Sequence, residues 1–453
     1  MKKLISFTIL VFICGFSQSC RHDQSLFVSP NNPTQGTAQT LLTTTEVFTF
    51  NTYEGDLMRF GEIMVQHVVG ANGQPQQPQA YQLPEDYFTN MWGQVYQTLQ
   101  TAQLLKKNFG AENPYYQGIA DILMAMNWGL TTDCWGDIPF TEALQAEQNY
   151  FPKYDPQQTV YAGINSLLDS GITLLSNAPK GLIPGTDDVV FGGNLDNWIK
   201  TAYTLKARYL LRYSNKSNFD PTSILAALAK GISDPSQDCM AIHGSTSPES
   251  NQFYAYNNAR AYIVAANTLV DSMQLRPTDQ RVYYYFDSTG FGGVVGSPID
   301  NTTQNASLWG LYLAGSASTP VPLVTYFEAL FIKAEVEART ADMTDAITDL
   351  NNAIQQNATK VTSGAYTGAS IATYTAANTS LNKIMYEKWI AMFGQPEAYA
   401  DYRRTKMPAL TPNSLGATSP IIPQRYPTPT TERTSNPNAP TPSITTPVWF
   451  ATP

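Results

Sequence analysis

Two groups of residues in this chain have the types and spacing to do chemistry. The first lies in Asn127 to Leu144, N-W-G-L-T-T-D-C-W-G-D-I-P-F-T-E-A-L, where Asp133 and Asp137 stand among Trp128, Trp135 and Phe140. Two carboxylates flanking a glycosidic bond are what glycoside hydrolysis needs, one as acid and the other as base or nucleophile. Against that, Asp137 follows Gly136 and precedes Ile138-Pro139, the setting of a turn residue whose carboxylate accepts nearby backbone N–H groups. The structural role is the simpler reading, because nothing in the sequence signals a perturbed carboxyl. The second group is aromatic: Tyr283, Tyr285, Phe291, Trp309 and Tyr312, with Asn301 and Asn305 nearby. The flat C–H faces of a sugar lie on aromatic rings while amides and hydroxyls bind its edges. At least one ring in 283–312 is therefore expected to contact a ligand, the alternative being that the rings only pack their loop onto the body. Tyr81, Tyr87 and Trp92 make a second aromatic cluster.

Other chemistries find little support. His22, His67 and His243 are isolated, and neither H-E-x-x-H nor a Cys/His cluster occurs, which argues against transition-metal catalysis. Asp187, Asp188 and Asp300 sit in loops that could hold Ca²⁺ but lack the EF-type spacing. Gly290 to Gly296 looks superficially like a nucleotide-binding loop, yet loop flanks it on both sides. No cofactor is expected. A net charge of −9 without a basic run makes nucleic acid an improbable partner. Only 14% of residues are charged, against about 25% in an average globular protein. Amides, hydroxyls and 26 tyrosines supply the polarity, a surface suited to neutral polar ligands.

These groups need a scaffold, and its elements are mostly helical. Gly118 to Trp128 is apolar, with Ile119, Leu123 and Met126 at helical spacing, and the helix should end just before Pro139. Burying Trp128, Trp135 and Phe140 would stabilise that turn by roughly 1.5–3 kcal/mol each. Thr44 to Val69 reads as a helix interrupted at Gly55 and Gly61, and Ala71 to Pro84 as a Gln/Pro-rich loop. Asn90 to Lys107 is an amphipathic helix, with Trp92, Val95, Leu99 and Leu105 on one face. Further helices are expected from Asp155-Pro156 to Leu175, Leu195 to Tyr213, Asp220-Pro221 to Gly231, and Arg260 to Gln274. Arg276 to Pro322 has no helical period, and so long a loop in a compact domain is usually functional. Helices resume at Val324 to Arg339, Asp342 to Gln356 and Leu381 to Phe393. Helix pairs joined by short turns resemble tetratricopeptide units. Glu328 and Glu335 share one helix face, and Arg403 and Arg404 could reach carboxylates bidentately, so buried ion pairs between helices are expected. From Pro408 the chain is rich in Pro and Thr, but Ile421, Ile422, Tyr426, Trp449 and Phe450 suggest that it packs back on the body.

At the N-terminus, Lys2-Lys3 and the apolar run Leu4 to Phe16 have a signal-peptide layout. Cys20 follows, and its position resembles the lipobox of bacterial lipoproteins, with Ser17-Gln18-Ser19 in place of the usual residues. On this reading residues 1–19 are removed, Cys20 carries lipid, 20–40 is a flexible tether and 41–453 is one domain. Cys14 leaves with the signal, so Cys134 and Cys239 remain, enough for one disulfide at most; Cys134 reads better as a small buried hydrophobe.

Ordered blocks along the chain then resemble a known family. They are Trp135-Gly136-Asp137-Ile138-Pro139-Phe140 with Glu142-Ala143, and Asp188 to Gly193 leading into Trp198-Ile199-Lys200 and Leu205-Lys206-Ala207-Arg208. Pro322 to Glu335 follows, then Glu387-Lys388-Trp389 and Glu397-Ala398-Tyr399-Ala400-Asp401-Tyr402-Arg403-Arg404, and finally Ile422-Pro423-Gln424-Arg425-Tyr426-Pro427 with Glu432 and Asn436. In this order, behind a lipoprotein signal, they resemble SusD/RagB-type outer-membrane nutrient-binding lipoproteins of the SusD-like subgroup. The resemblance implies a mostly α fold of tetratricopeptide-like helix pairs supporting loop-rich insertions. It also implies no catalysis, a lipid-anchored position on the outer membrane facing the cell exterior, and a SusC-like TonB-dependent transporter as partner. The ligand would be an oligosaccharide or a peptide. A surface glycoside hydrolase, or a helical-repeat scaffold with no small ligand, are the alternatives. The blocks mark the shared scaffold rather than the ligand site, for which the aromatic loop stays the candidate.

Overall fold

Thr37 opens the first helix by accepting the Thr40 N–H at 3.2 Å, a hydroxyl cap for an otherwise orphan donor. The computed structural model describes residues 36–177, 181–288, 290, 292–366, 371–416 and 420–453; the expected signal segment, Cys20 and Phe291 lie outside them. Helix α1 (Ala38–Glu54) thus begins inside the stretch read as tether. The break before α2 (Asp56–Met64) falls at Gly55, whereas Gly61 lies inside α2 against the Tyr399 side chain. A short α3 (Gln76–Gln79) occupies the Gln/Pro-rich loop.

The core of the body is a run of long helices, each packed on the next: α4 (Tyr87–Phe109), α5 (Pro114–Trp135), α6 (Gln157–Asn177) and α7 (Leu195–Leu210). Helices α5 and α6 approach until a Cβ on Gly171 would lie 2.9 Å from the Gly118 carbonyl oxygen, so glycine is what permits their spacing. Helix α5 is buried nearly all round, which is why its apolar residues outnumber a single stripe. It ends at Trp135 because Gly136 turns at φ +84°, three residues before the proline expected to stop it.

The second half repeats the pairing. Helix α8 (Pro221–Leu228) packs on α7; α13 (Tyr326–Arg339) packs on α14 (Met343–Val361), which Asp342 caps; and α15 (Leu381–Ala391) leads into α16 (Glu397–Thr405). Between these lies the insertion: α9 (Gln252–Ala259), α10 (Asn267–Gln274), and the one-turn helices α11 (Val282–Tyr285) and α12 (Leu311–Ala314). The helix expected from Arg260 to Gln274 is a strand in its first half. Ile263–Ala265 (β3) pairs antiparallel with Val68–Gly70 (β1), and β-branched residues buried on both faces suit that ladder. A second antiparallel pair joins Cys239–Ala241 (β2) to Val321–Val324 (β4).

The Pro/Thr-rich tail packs back on this body. Ile422, Tyr426, Val448 and Phe450 are buried, Tyr426 donates to the Leu57 carbonyl at 2.7 Å, and one turn of helix, α17 (Thr430–Ser435), interrupts it. Ile421, expected inside, is exposed instead. Cys134 and Cys239 are buried free thiols, and burial pushes both up from the ordinary thiol range. Among the described residues no helix is long and apolar enough to cross a membrane.

Candidate functional site

The carboxylates of the first chemical group are scaffold. Asp133 projects from the last turn of α5 into a buried ion network. Arg212 Nη2 lies 2.7 Å from Asp133 Oδ2 and 2.7 Å from Glu397 Oε1, and the Tyr161 hydroxyl donates to Asp133 Oδ1. Next to it, Arg208 forks onto both Glu328 oxygens at 2.6 Å. Arg404 bridges Glu335 at 2.5 Å and Asp401 at 2.6 Å, and Lys388 closes on Asp401 at 2.6 Å. Burial alone would raise the Glu335 carboxyl, but Arg404, Arg339 and Lys388 outweigh it and hold Glu335 at about 2. For Glu397 burial prevails, and its carboxyl is raised despite Arg212 and Arg208. Arg403 departs from expectation. Its guanidinium donates to the main-chain oxygens of Asp133, Tyr399 and Gln424 and lies 3.9 Å from the centre of the Tyr399 ring, engaging no carboxylate among the described residues. Asp137 stays at the surface and accepts the Gln157 N–H at 2.9 Å where α6 begins. One aspartate covered by a guanidinium and the other holding a helix start do not make a hydrolytic pair.

The loop aspartates are equally occupied. Asp188 accepts from the N–H groups of Val190, Phe191 and Gly193 and from the Trp198 indole, Asp187 accepts the Tyr116 hydroxyl, and Asp300 accepts from Ser414. Among the described residues no group of His, Cys, Asp or Glu is arranged to hold a metal ion.

An open cleft lies in the insertion. About 410 Å³ in volume, it is walled by α9 on one side and by 283–288 and 308–315 on the other. Asn251 sets the first wall: its Oδ1 caps α9 by accepting from Phe253 and Tyr254, while its amide donates at 2.8 Å to the Leu313 and Thr319 carbonyls. Tyr254, Asn257 and Asn258 thereby face the cleft. The second wall is an antiparallel bridge of Phe286 with Trp309, extended by Asp287 N–H to Leu308 O at 3.0 Å. Gly310 is needed beside it, because a Cβ there would lie 2.7 Å from the Phe286 backbone. Trp309 forms the floor, edge-on to Phe253 at 5.1 Å. Its indole N–H and the Asn257 Oδ1 have no hydrogen-bond partner among the described residues, although the Asn257 amide donates to the Trp309 carbonyl at 2.9 Å. Asp287 Oδ1 accepts the Leu308 N–H at 3.1 Å; burial raises its carboxyl and that bond opposes the rise. Leu311, 63% exposed, forms a ridge between this cleft and a neighbour of about 410 Å³ lined by Met240, Tyr312, Pro320 and Lys360. Behind the wall, Phe393 packs on Phe286 at 5.1 Å, and Gly394 turns at φ +79° where a Cβ would meet Leu313 Cδ1 at 2.4 Å.

Residues 30–429 match the family described as starch-binding and associating with the outer membrane. The chain belongs to the SusD-like family. Among solved structures, a SusD/RagB family protein from Bacteroides thetaiotaomicron is 26% identical at a TM-score of 0.74, covering 92% of this chain and 99% of its own. One described as a chitin-binding protein is 23% identical at a TM-score of 0.78, covering 92% and 100%. A chitin-binding SusD homolog from Flavobacterium johnsoniae is 18% identical at 0.77, covering 90% and 98%. No curated protein matches. The mostly helical fold with tetratricopeptide-like pairs is that of these SusD-like structures.

On this SusD-like frame the four aromatic candidates among the described residues separate, Phe291 lying outside them. Tyr283 is 50% exposed and lines the cleft, and Trp309 is its floor. Tyr285 leaves the candidate set: it is fully buried, donating to Asn357 at 3.2 Å and the Ile390 carbonyl at 3.1 Å, with its ring tilted against Phe393 at 4.4 Å. Tyr312 is buried at the edge of the neighbouring cleft, and Asn301 and Asn305 line neither. In the second cluster Trp92 packs among Tyr96, Trp135 and Tyr154. Sequence reasoning missed Tyr254, Asn257, Asn258, Asp287 and Leu311. The signal available was Y-A-Y-N-N at 254–258, rings and amides spaced to share one helix face.

Proposed function

We propose that this chain is a non-catalytic, lipid-anchored outer-membrane protein, facing the cell exterior, that binds an oligosaccharide and delivers it to a SusC-like TonB-dependent transporter. The observation that carries the ligand half is the cleft: a half-exposed phenol, Tyr283, opposite the amides Asn257 and Asn258, over an indole floor. Rings offer faces to sugar C–H groups and amides take the hydroxyls, so the lining has both parts that saccharide binding needs. The family description and the two chitin-binding neighbours favour a glycan over a peptide. Lipid on Cys20 and delivery to a barrel rest on the lipobox-like segment and on the family's association with the outer membrane. The test is calorimetric titration of residues 21–453 with hexamers of N-acetylglucosamine and of maltose units, beside purification of the full chain from detergent-solubilised outer membranes. Saturable binding of a hexamer and co-purification of a large transporter barrel are expected. No binding of either hexamer would defeat the saccharide half, and recovery of the chain without a barrel would defeat the delivery half.

A further inference from the structure

The structure assigns Asp287 the role of a charge filter in this cleft: we propose that it makes the site take neutral or amine-bearing saccharides and turn away acidic ones. The inference rests on the saccharide reading above and names the class of sugar. Among the described residues that line the cleft, Asp287 is the one carboxylate, and Lys, Arg and His are absent. Two cations on the surrounding elements are held elsewhere. Arg59 pairs with Asp56 at 2.7 Å and lies over the Tyr256 ring, and Arg281 is buried against Asp279 at 2.7 Å. Arg260, at the end of α9, is outside the lining.

The placement of Asp287 is fixed and its capacity is half used. The Asp287 N–H donates to the Leu308 carbonyl and the Leu308 N–H donates back to Oδ1, so only Oδ1 is engaged and Oδ2 accepts no hydrogen bond from the described residues. A carboxylate oxygen held at the edge of a ring-lined cleft can accept a sugar hydroxyl or an ammonium in a charge-assisted bond. A uronate or sulfate in the same place would bring a second negative charge into a partly desolvated site that has no cation to neutralise it. The remaining cleft groups, phenols and amides, are uncharged and serve neutral sugars.

The test titrates residues 21–453, at about pH 6 where sugar amines are charged, with hexamers of N-acetylglucosamine, glucosamine and galacturonate. The expected result is binding of the first two and affinity for the galacturonate hexamer at least roughly tenfold weaker. In Asp287→Asn, which keeps an acceptor for Leu308, the gap between neutral and acidic hexamers should close by about tenfold. Raising the salt should weaken the glucosamine hexamer and leave the N-acetylglucosamine hexamer unchanged, a reading on the unaltered chain that does not depend on the variant folding. Galacturonate binding as tightly as the neutral hexamer, or a ratio unmoved in a folded Asp287→Asn chain, would overturn the charge filter alone. Binding of none of the three would remove the saccharide reading and the filter together.

Discussion

Asp133 and Asp287 are both carboxylates drawn away from bulk water, and their surroundings differ in kind. Asp133 is met by Arg212 through two nitrogens and by the Tyr161 hydroxyl, inside a network shared by α5, α7, α13, α15 and α16. Asp287 meets one backbone N–H. The voids beside them differ as well. The network encloses a space of about 10 Å³ next to Gln395, room for about one water, while the cleft opens about 410 Å³. A carboxylate saturated by guanidinium can be disturbed only by breaking the fold, whereas one with an open oxygen at a cleft can change partners without doing so. Polar groups alone therefore do not mark a site; unmet bonding capacity beside accessible volume does.

The sharpest way to break this contrast is Arg212→Leu. It strands Asp133 without its cation and leaves Glu397 only the more distant Arg208, and removing one member of a buried ion pair lowers stability by about 3–5 kcal/mol, read from urea unfolding. A loss under about 1 kcal/mol would mean that the network is hydrated and no different from a surface pair. The next test is acid. Glu335 is held at about 2, below the 4.5 of an unperturbed carboxyl, so its contribution is fully present above pH 4.5 and is lost as pH falls through about 2. Urea midpoints should decline across that window, and Glu335→Gln, less stable at neutral pH, should flatten the decline; equal slopes in both proteins would remove Glu335 as the cause. The smallest effect belongs to the cleft. Tyr283→Ala should weaken hexasaccharide binding by about five- to tenfold and leave stability within about 0.5 kcal/mol. Parallel losses of binding and stability would place Tyr283 with the scaffold.

Legibility in the sequence followed the same division. Amphipathic stripes delivered α4 and α7 to within a few residues, because one face of each packs inward and the other meets water. Helix α16 escaped notice. From Glu397 to Arg404 every residue is buried, charges included, so no stripe exists, and only the partners on other helices make those charges tolerable. The aromatic loop was located, yet not sorted. Tyr283 and Tyr285 are two steps apart on one helical turn, about 200° around it, so one points out and the other in. Which is which depends on Phe393, more than a hundred residues along the chain. The cleft's other wall was missed because α9, Gln252–Ala259, is built mostly of Tyr, Asn and Gln with only Phe253 buried, so no apolar stripe marks it.

Gly394 bears on how such a protein could be altered. It stands between Phe393, which backs the cleft wall, and Gln395 to Glu397, which enter the ion network, and it leaves no room for a side chain against Leu313. Along the chain, the two regions are joined through this residue. A grafted insertion carrying a different recognition surface would fit this body only if it brought along something that seats against a bare backbone at 394. Interchangeability of the binding face is thus limited by shape at this point, in addition to the hydrogen bonds that tie Tyr285 and Arg281 to Asn357.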